Sequence, residues 1–128
     1  MVKPKVVLLG NFDTELINAL NKEGISVCFF QDFDNILDLE GDILLVEKSM
    51  EVQAMQALKL KTMVPVVYKD TQMFVEFDAN REVGFAFVYK DNSKFSQFAA
   101  IIRAVETFKF PFDWKNLLKE VQEVLKRV

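Results

Sequence analysis

The sequence predicts an α/β fold built on a parallel β-sheet. Short apolar runs rich in β-branched residues alternate with segments of helical period, which is the pattern of βα units. The first of these runs, residues 5–10, is continuous in hydrophobicity rather than alternating, as in a strand that is covered on both faces. A chain of 128 residues with 51% hydrophobic residues can fold around one core, so one domain is expected.

Five runs are predicted to form the strands of this sheet, because they are short, apolar and bounded by turn-forming residues. They are residues 5–10, 25–30, 42–47, 64–68 and 83–89.

Four further segments have helical spacing. Asp13 or Thr14 is expected to cap the first helix, which Gly24 ends, and Asp32 is expected to cap a short second helix. Ser49 opens the third helix, and the fourth spans residues 93–107. The side chains expected to face the core from these helices are Leu16, Ile17, Leu20, Phe33, Ile36, Leu37, Val52, Met55, Leu58, Phe95, Phe98, Ile102 and Val105.

Residues 71–82 admit two interpretations. The βα pattern requires a crossover helix here before a parallel fifth strand, so a short or irregular helix is favoured. However, residues 73–77 are rich in β-forming residues, and Asp78, Ala79 and Asn80 resemble a turn. The alternative is therefore a hairpin into residues 83–89.

The last predicted helix begins at Asp113, after Pro111, which cannot lie in the interior of a helix. Its apolar residues recur at intervals of three and four, like the a and d positions of a coiled coil. They are Trp114, Leu117, Val121, Val124 and Val128, flanked by Leu118 and Leu125. This seam either packs on its own domain, forms a homodimer, or connects to an output domain. The chain is accordingly divided into a domain over residues 1–108 and a C-terminal helix over residues 109–128.

Composition excludes several classes of function. The chain contains no histidine, so neither imidazole catalysis nor histidine-ligated metal sites are available. Its net charge of −3 and the absence of a basic block argue against direct nucleic-acid binding. No apolar run approaches the roughly 18 residues needed to span a bilayer, and the N-terminal apolar stretch is too short for a signal peptide. A cytoplasmic protein without membrane contact is expected.

The order of elements over residues 5–105 resembles the receiver (CheY-like) domain of bacterial response regulators. Matching segments are Gly10 to Leu20 followed by Lys22-Glu23-Gly24-Ile25, the run DILLVE over residues 42–47, Pro65-Val66-Val67, and Phe87-Val88-Tyr89-Lys90. The resemblance implies a flavodoxin-like three-layer sandwich with a five-stranded parallel sheet, here with an extra C-terminal helix. It also implies a functional site at the carboxyl edge of that sheet, and a role in two-component signal transduction.

Residue by residue, the resemblance implies a degenerate phosphorylation site. Gly10 and Asn11 stand where receivers carry the acidic pair that holds Mg²⁺, and Glu47 stands at the phosphoacceptor aspartate. Asp70 or Thr71 occupies the Ser or Thr position, and Lys90 matches the receiver lysine. Asp13 is the remaining carboxylate beside this site.

Lys90 suggests a specific hypothesis. A Glu47–Lys90 ion pair would permanently imitate the contact between that lysine and the aspartyl phosphate. The alternative is that these charges are simply solvated at the strand ends.

Aromatic residues are concentrated in the second half of the chain, at Phe74, Phe77, Phe85, Phe87, Phe95 and Phe98. In receivers this region, including Phe87 and Tyr89, is the switch and interaction face. Most of these rings are expected in the core, with Phe74, Phe77 and Tyr89 the candidates for exposure.

The sequence thus predicts an atypical, phosphorylation-independent receiver domain that binds a protein partner or output domain and is not an enzyme. No cofactor and no metal are expected, since Gly10 is the only glycine where a phosphate-binding loop needs several. The alternative is a small α/β enzyme or ligand-binding protein with an acidic pocket at the strand ends.

Overall fold

Five parallel strands form the central sheet of the computed structural model, which describes residues 3–30, 32–69, 74–81 and 83–127. In chain order the strands are β1 (Val6–Leu9), β2 (Val27–Phe29), β3 (Ile43–Val46), β4 (Val64–Tyr68) and β5 (Phe87–Tyr89). Their spatial order is β2-β1-β3-β4-β5. This is the strand order of flavodoxin-like folds, so the predicted fold class is confirmed.

Helices cover both faces of the sheet. They are α1 (Thr14–Lys22), α2 (Glu51–Leu60), α3 (Lys94–Phe108) and α4 (Pro111–Lys126). The connections β1 to β2 and β3 to β4 step in opposite directions, so right-handed crossovers place α1 and α2 on opposite faces. α3 packs against α1, and α4 packs against α2, which gives three layers.

The centre of the sheet is apolar on both faces, as predicted. Every residue of β1 and β3 is buried, because helices lie above and below these two strands. Neither strand shows the alternation expected of a sheet with one face in water.

Both ends of α1 follow the prediction. The Asp13 carboxylate accepts a hydrogen bond of 2.8 Å from the Glu15 N–H, which satisfies one of the free donors of the first turn. Gly24, with φ of +77°, takes the left-handed conformation that follows the helix. Leu16 and Leu20 are buried against the sheet.

The predicted short helix after β2 is only a 3₁₀ turn over Ile36–Asp38. Asp32 does accept a hydrogen bond of 3.0 Å from the Asn35 N–H, but too few residues follow to repeat the helical bonds. Leu37, predicted to face the core, is 72% exposed.

In α2 and α3 the predicted buried stripe is correct at Leu58 and Val105 but wrong at one residue of each helix. Val52 in α2 and Phe95 in α3 are 65% and 75% exposed, whereas Ala54 and Gln97 are buried. Each exposed residue lies two positions before the buried one, which places it about 200° around the helix. Both helices carry further alanine and leucine or isoleucine residues, so the apolar pattern alone permitted either phase.

Residues 74–81 contain no helix, so the favoured crossover helix is wrong for this part of the chain. Asp78 and Val83 exchange backbone hydrogen bonds of 2.8 and 3.3 Å around a tight turn. These bonds support the alternative prediction of a hairpin, but only at this turn. β5 nevertheless pairs with β4 in the parallel sense, and it begins at Phe87 rather than at residue 83. Residues 71–73 and 82 lie outside the described part of the chain.

α4 takes the position predicted for a crossover helix between β4 and β5. A right-handed connection from β4 to β5 would lie on the same face as α2, and α4 packs on α2 and β4 on that face. The helix starts two residues earlier than predicted, with Pro111 in its first turn, where a missing N–H costs nothing.

The predicted seam of α4 is used inside the domain. Trp114, Leu117 and Val121 are buried, and Leu125 is buried beside them, while Val124 is half-buried. The first three side chains are therefore unavailable as a homodimer seam, and α4 is part of the domain rather than a separate extension.

Among the described residues, no helix combines the length and the hydrophobicity needed to cross a membrane.

Candidate functional site

The carboxyl edge of the sheet gathers most of the predicted site residues. Gly10 and Asn11 follow β1, Glu47 follows β3, and Lys90 follows β5. In open parallel sheets ligands bind at this edge, particularly where the strand order reverses, which here is between β1 and β3. Asp70 and Thr71, also predicted here, lie outside the described residues.

Glu47 fastens the loops after β1 and β3 to each other. One carboxylate oxygen accepts a hydrogen bond of 2.8 Å from the Asn11 N–H, and the other accepts one of 3.0 Å from the Ser49 hydroxyl. Both carboxylate oxygens therefore accept a hydrogen bond, one from the loop after β1 and one from the loop after β3. This role of Ser49 and of the Asn11 backbone was not predicted from the sequence.

The hypothesis of a Glu47–Lys90 ion pair is wrong. No such contact occurs among the described residues, in which Glu47 bonds toward β1 while Lys90 lies beyond β4. Two strand spacings, about 10 Å, separate β3 from β5, so one carboxylate cannot serve both neighbours. The backbone N–H of Lys90 donates to the Ser96 hydroxyl, and its side chain is exposed.

Gly10 is required by the packing of Glu47. Its φ of +112° lies in a region that side chains rarely adopt, and a Cβ at this position would lie 2.4 Å from the Cβ of Glu47. From the sequence, Gly10 was interpreted as the loss of a metal-binding carboxylate. The structure shows instead that a side chain does not fit at this position, because its Cβ would collide with Glu47.

Carboxylates at this edge serve the fold. Asp13 caps α1 and Glu47 holds the loops, so two of the three acids of the predicted acidic pocket already accept hydrogen bonds, while the third, Asp70, lies outside the described residues. An open depression of about 470 Å³ does lie between them and the start of α3. Within the described residues, no group of three or more His, Cys, Asp or Glu side chains could hold a metal ion.

Tyr89 is buried beneath this edge. It is 1% exposed, and its hydroxyl donates a hydrogen bond of 2.5 Å to the carbonyl oxygen of Val46. Burial, opposed by a hydrogen bond with Gln97, raises the pKa of Tyr89 to about 12. Gln97 was predicted neither as buried nor as a contact; a lone glutamine between the apolar residues of α3 was the available signal.

The predicted exposure of the aromatic face is wrong in two of its three candidates. Tyr89 and Phe74 are buried, and Phe77 is half-buried. Phe87 is also buried, with its ring 6.0 Å from that of Phe77. The turn segment, residues 74–81 and 83–86, packs its own rings onto the sheet, which buries Phe74 and Phe85 and covers part of Phe77.

Three lysines follow neighbouring strands at the same edge. β3 pairs with β4 at Leu45 and Val66, and β4 pairs with β5 at Val66 and Phe87. Lys69 and Lys90 directly follow the paired residues Tyr68 and Tyr89, whereas Lys48 lies in the turn after β3, and all three are exposed. Only Lys90 was predicted as a site residue. The signal for the others was that the strand ends VEK, VYK and VYK share one pattern.

The order of the strands and the position of this edge define a doubly wound α/β protein of the flavodoxin-like class. In comparisons with protein-family models and with curated proteins, the sequence matches none of them.

Proposed function

We propose that this chain is a receiver-like signalling domain that works in the cytoplasm by protein–protein interaction, independently of aspartyl phosphorylation. One observation carries the proposal: Glu47, at the position of the phosphoacceptor, binds the Asn11 N–H and the Ser49 hydroxyl with its two oxygens. A carboxylate whose two oxygens both accept hydrogen bonds within the fold has a structural role rather than that of a nucleophile.

The surroundings of Glu47 support the same conclusion. Phosphoryl transfer depends on in-line positioning and on a metal that neutralises the phosphoryl oxygens. Gly10 and Asn11 supply no carboxylate for that metal, and the extra methylene of Glu47 relative to aspartate displaces its oxygens. The proposed domain is accordingly not an enzyme and needs no cofactor.

An exposed groove offers a surface for a partner. A cavity of about 370 Å³ lies between the turn and α4, where Phe77, Gly84 and Leu117 form part of the wall. Phe112, which is 76% exposed, stands at this groove. The charged residues that line the groove are three acids, Asp113, Glu120 and Glu123, and one base, Lys119. Charge complementarity therefore favours a partner segment with basic and apolar residues.

The proposed independence of aspartyl phosphorylation is tested by measuring the intact mass of the protein. The full chain is incubated with Mg²⁺ and a small acyl-phosphate donor, beside an active receiver as positive control. No added phosphoryl group is expected on this chain or on its Glu47→Ala variant. An adduct on the wild-type chain, at Glu47 or any other carboxylate, would contradict the proposal.

The interaction half is tested by selecting binders from a displayed peptide library and measuring their affinity for variants of the groove. Phe112→Ser should lower the affinity for the selected peptides by about tenfold or more, because it removes the exposed aromatic ring that anchors them. The matched control is Phe95→Ser, an equally exposed ring outside the groove. Failure to select any binder, or equal affinity for the two variants, would count against this surface.

A further inference from the structure

The two edges of the sheet differ in their protection. At the β5 edge, the outward N–H and C=O groups of Val88 bind the side chains of Glu76 and Arg103. β2 (Val27–Phe29) forms the opposite edge. Among the residues that the structure describes, no side chain bonds to the backbone of β2 from outside the sheet, so β2 is an open edge.

The hydrogen bonds to β1 show which backbone groups of β2 point outward. The Ser26 carbonyl oxygen accepts a hydrogen bond of 2.9 Å from β1, and the Phe30 N–H donates one of 2.9 Å to β1. Because the backbone groups of successive residues alternate in direction, Cys28 also faces β1, whereas Val27 and Phe29 face away from the sheet. The N–H and C=O groups of these two residues form no hydrogen bond within the described part of the chain.

The side chains along this edge do not prevent pairing with another strand. Edge strands are commonly protected by charged residues or proline, and residues 25–30 contain neither. The Phe29 ring is 52% exposed, and Val27 and Cys28 are half-buried. Outward backbone groups beside an exposed apolar ring are suited to an extended strand, which supplies both the hydrogen bonds and the side-chain contacts.

We propose that this edge pairs with the same edge of a second copy of the chain, so that two antiparallel β2 strands join the two sheets. A two-fold dimer uses one surface patch on both copies, and an axis perpendicular to the sheet makes the strands antiparallel. With the axis beside Cys28, Val27 of each copy lies opposite Phe29 of the other. These two residues then exchange both of their backbone hydrogen bonds, so all the outward groups of β2 are satisfied.

The sequence of β2 is complementary to itself in this register. Phe29 of one copy lies on the same face as Val27 of the other, and pairs of an aromatic with a β-branched residue across two strands are stabilising. Cys28 lies opposite Cys28 at the axis, where a small side chain avoids crowding. Since no residue of the run 25–30 is charged, the axis brings no like charges together within the paired strands.

The test is sedimentation equilibrium of the full chain over a range of concentrations, in which we expect a monomer–dimer equilibrium. Phe29→Lys places a charge at the paired edge and should raise the dimer dissociation constant at least about tenfold. The matched control is Phe95→Lys, which makes the same change at an exposed ring in α3, away from β2, and should leave the constant unchanged. Equal dissociation constants of the two variants would overturn the proposal.

A chain that stays monomeric up to about 1 mM would also overturn the proposal. An extended segment of another protein would then be the remaining occupant of this edge.

Val27→Pro tests the backbone pairing separately from the Phe29 side chain. Proline lacks the N–H that would bond to the second copy, and this N–H takes no part in the ladder with β1. The fold should therefore be retained, as circular dichroism verifies, while the dissociation constant rises at least about tenfold. A folded Val27→Pro variant that dimerises like the wild type would contradict the pairing.

Cys28, the single cysteine, tests the register. The two Cα atoms at the axis would be about 4.5 Å apart, which lies within the range of disulfide-bonded cysteines. Oxidation by dissolved oxygen with copper phenanthroline should cross-link the wild type and Phe95→Lys, and Phe29→Lys far less. A dimer that resists this cross-linking would overturn the register. None of these outcomes depends on the proposed signalling function, because its groove beside Phe112 is a different surface.

Discussion

Glu76 and Arg103 form an ion pair of 3.3 Å across the outer edge of β5, and each also binds the backbone of Val88. The Glu76 carboxylate accepts a hydrogen bond of 2.6 Å from the Val88 N–H, and the Arg103 guanidinium donates one of 2.8 Å to the Val88 carbonyl oxygen. The two side chains thus occupy the backbone groups that a sixth strand would use. Unprotected edges of this kind promote pairing between chains.

Removal of this protection should destabilise the domain and promote self-association. Glu76→Ala leaves the Val88 N–H without its acceptor, and we expect a loss of about 1 kcal/mol of unfolding free energy. Chemical denaturation and light scattering over a range of concentrations measure the two effects.

Glu76→Gln separates the hydrogen bond from the ion pair. The glutamine retains an acceptor for the Val88 N–H but loses the charge that pairs with Arg103, so it should self-associate no more than the wild type and lose less stability than Glu76→Ala. If Glu76→Gln associates as strongly as Glu76→Ala, the ion pair rather than the backbone bond protects the edge.

Gly10→Ala should be more destabilising than an ordinary glycine substitution at positive φ. The backbone strain costs about 1–3 kcal/mol, and the new Cβ also collides with Glu47. Gly24→Ala is the matched control, because φ is also positive there but the added Cβ meets its neighbours at ordinary distances of 3.6 Å or more.

The collision can be isolated by a double-mutant cycle. Glu47→Ala in the Gly10→Ala background retains a Cβ and should relieve only part of the additional cost, whereas Glu47→Gly should relieve more of it. Urea denaturation of the wild type, the three single variants and the two double variants gives the coupling for each cycle. Equal stability of Gly10→Ala and Gly24→Ala would show that the close approach of Glu47 is not rigid.

Leu117→Ala in α4 should cost about 2–5 kcal/mol, since Leu117 is buried and its truncation leaves a cavity. The half-buried Leu118 provides the control, and Leu118→Ala should cost clearly less. Unfolding can be followed by the fluorescence of Trp114, the single tryptophan, which is buried in the same helix. Wild-type stability of Leu117→Ala would mean that α4 is not part of the folded domain.

Stability should fall at high pH through Tyr89. Its pKa is raised to about 12 in the folded protein, whereas the unfolded chain releases this proton near 10. Below about pH 10 the tyrosine is neutral in both states and its contribution to stability is complete. That contribution is lost as the pH rises from about 10 toward about 12, because the unfolded chain ionises first.

Tyr89→Phe tests this dependence. The variant loses the hydrogen bond to Val46, at about 1 kcal/mol, but should lose stability less steeply than the wild type between about pH 9 and about pH 11. Tyr68 is retained in both chains, so its ionisation cancels in the comparison. Parallel pH profiles would show that Tyr89 does not ionise on unfolding in this range.

The sequence by itself determined the local elements and the fold class. Short continuous apolar runs such as residues 43–46, bounded by turn-forming residues, favour strands covered on both faces, and Asp13 and Gly24 delimit α1 through bonds to near neighbours in the chain. The predicted position of Gly10 and Glu47 at the sheet edge was likewise correct, because parallel strands all end on the same side.

Only the tertiary structure decided which surfaces meet. The apolar spacing of α4 was equally suited to a dimer and to its own domain, and its contacts with α2 show the second. The exposure of Phe95 and the burial of Tyr89 likewise depend on which neighbour covers each face. Glu47 had an equally plausible partner in Lys90, but the strand order puts β4 between them and Asn11 beside it. Periodicity and charge specify that a side chain needs a partner, whereas the identity of that partner depends on distances between residues that are far apart in the chain.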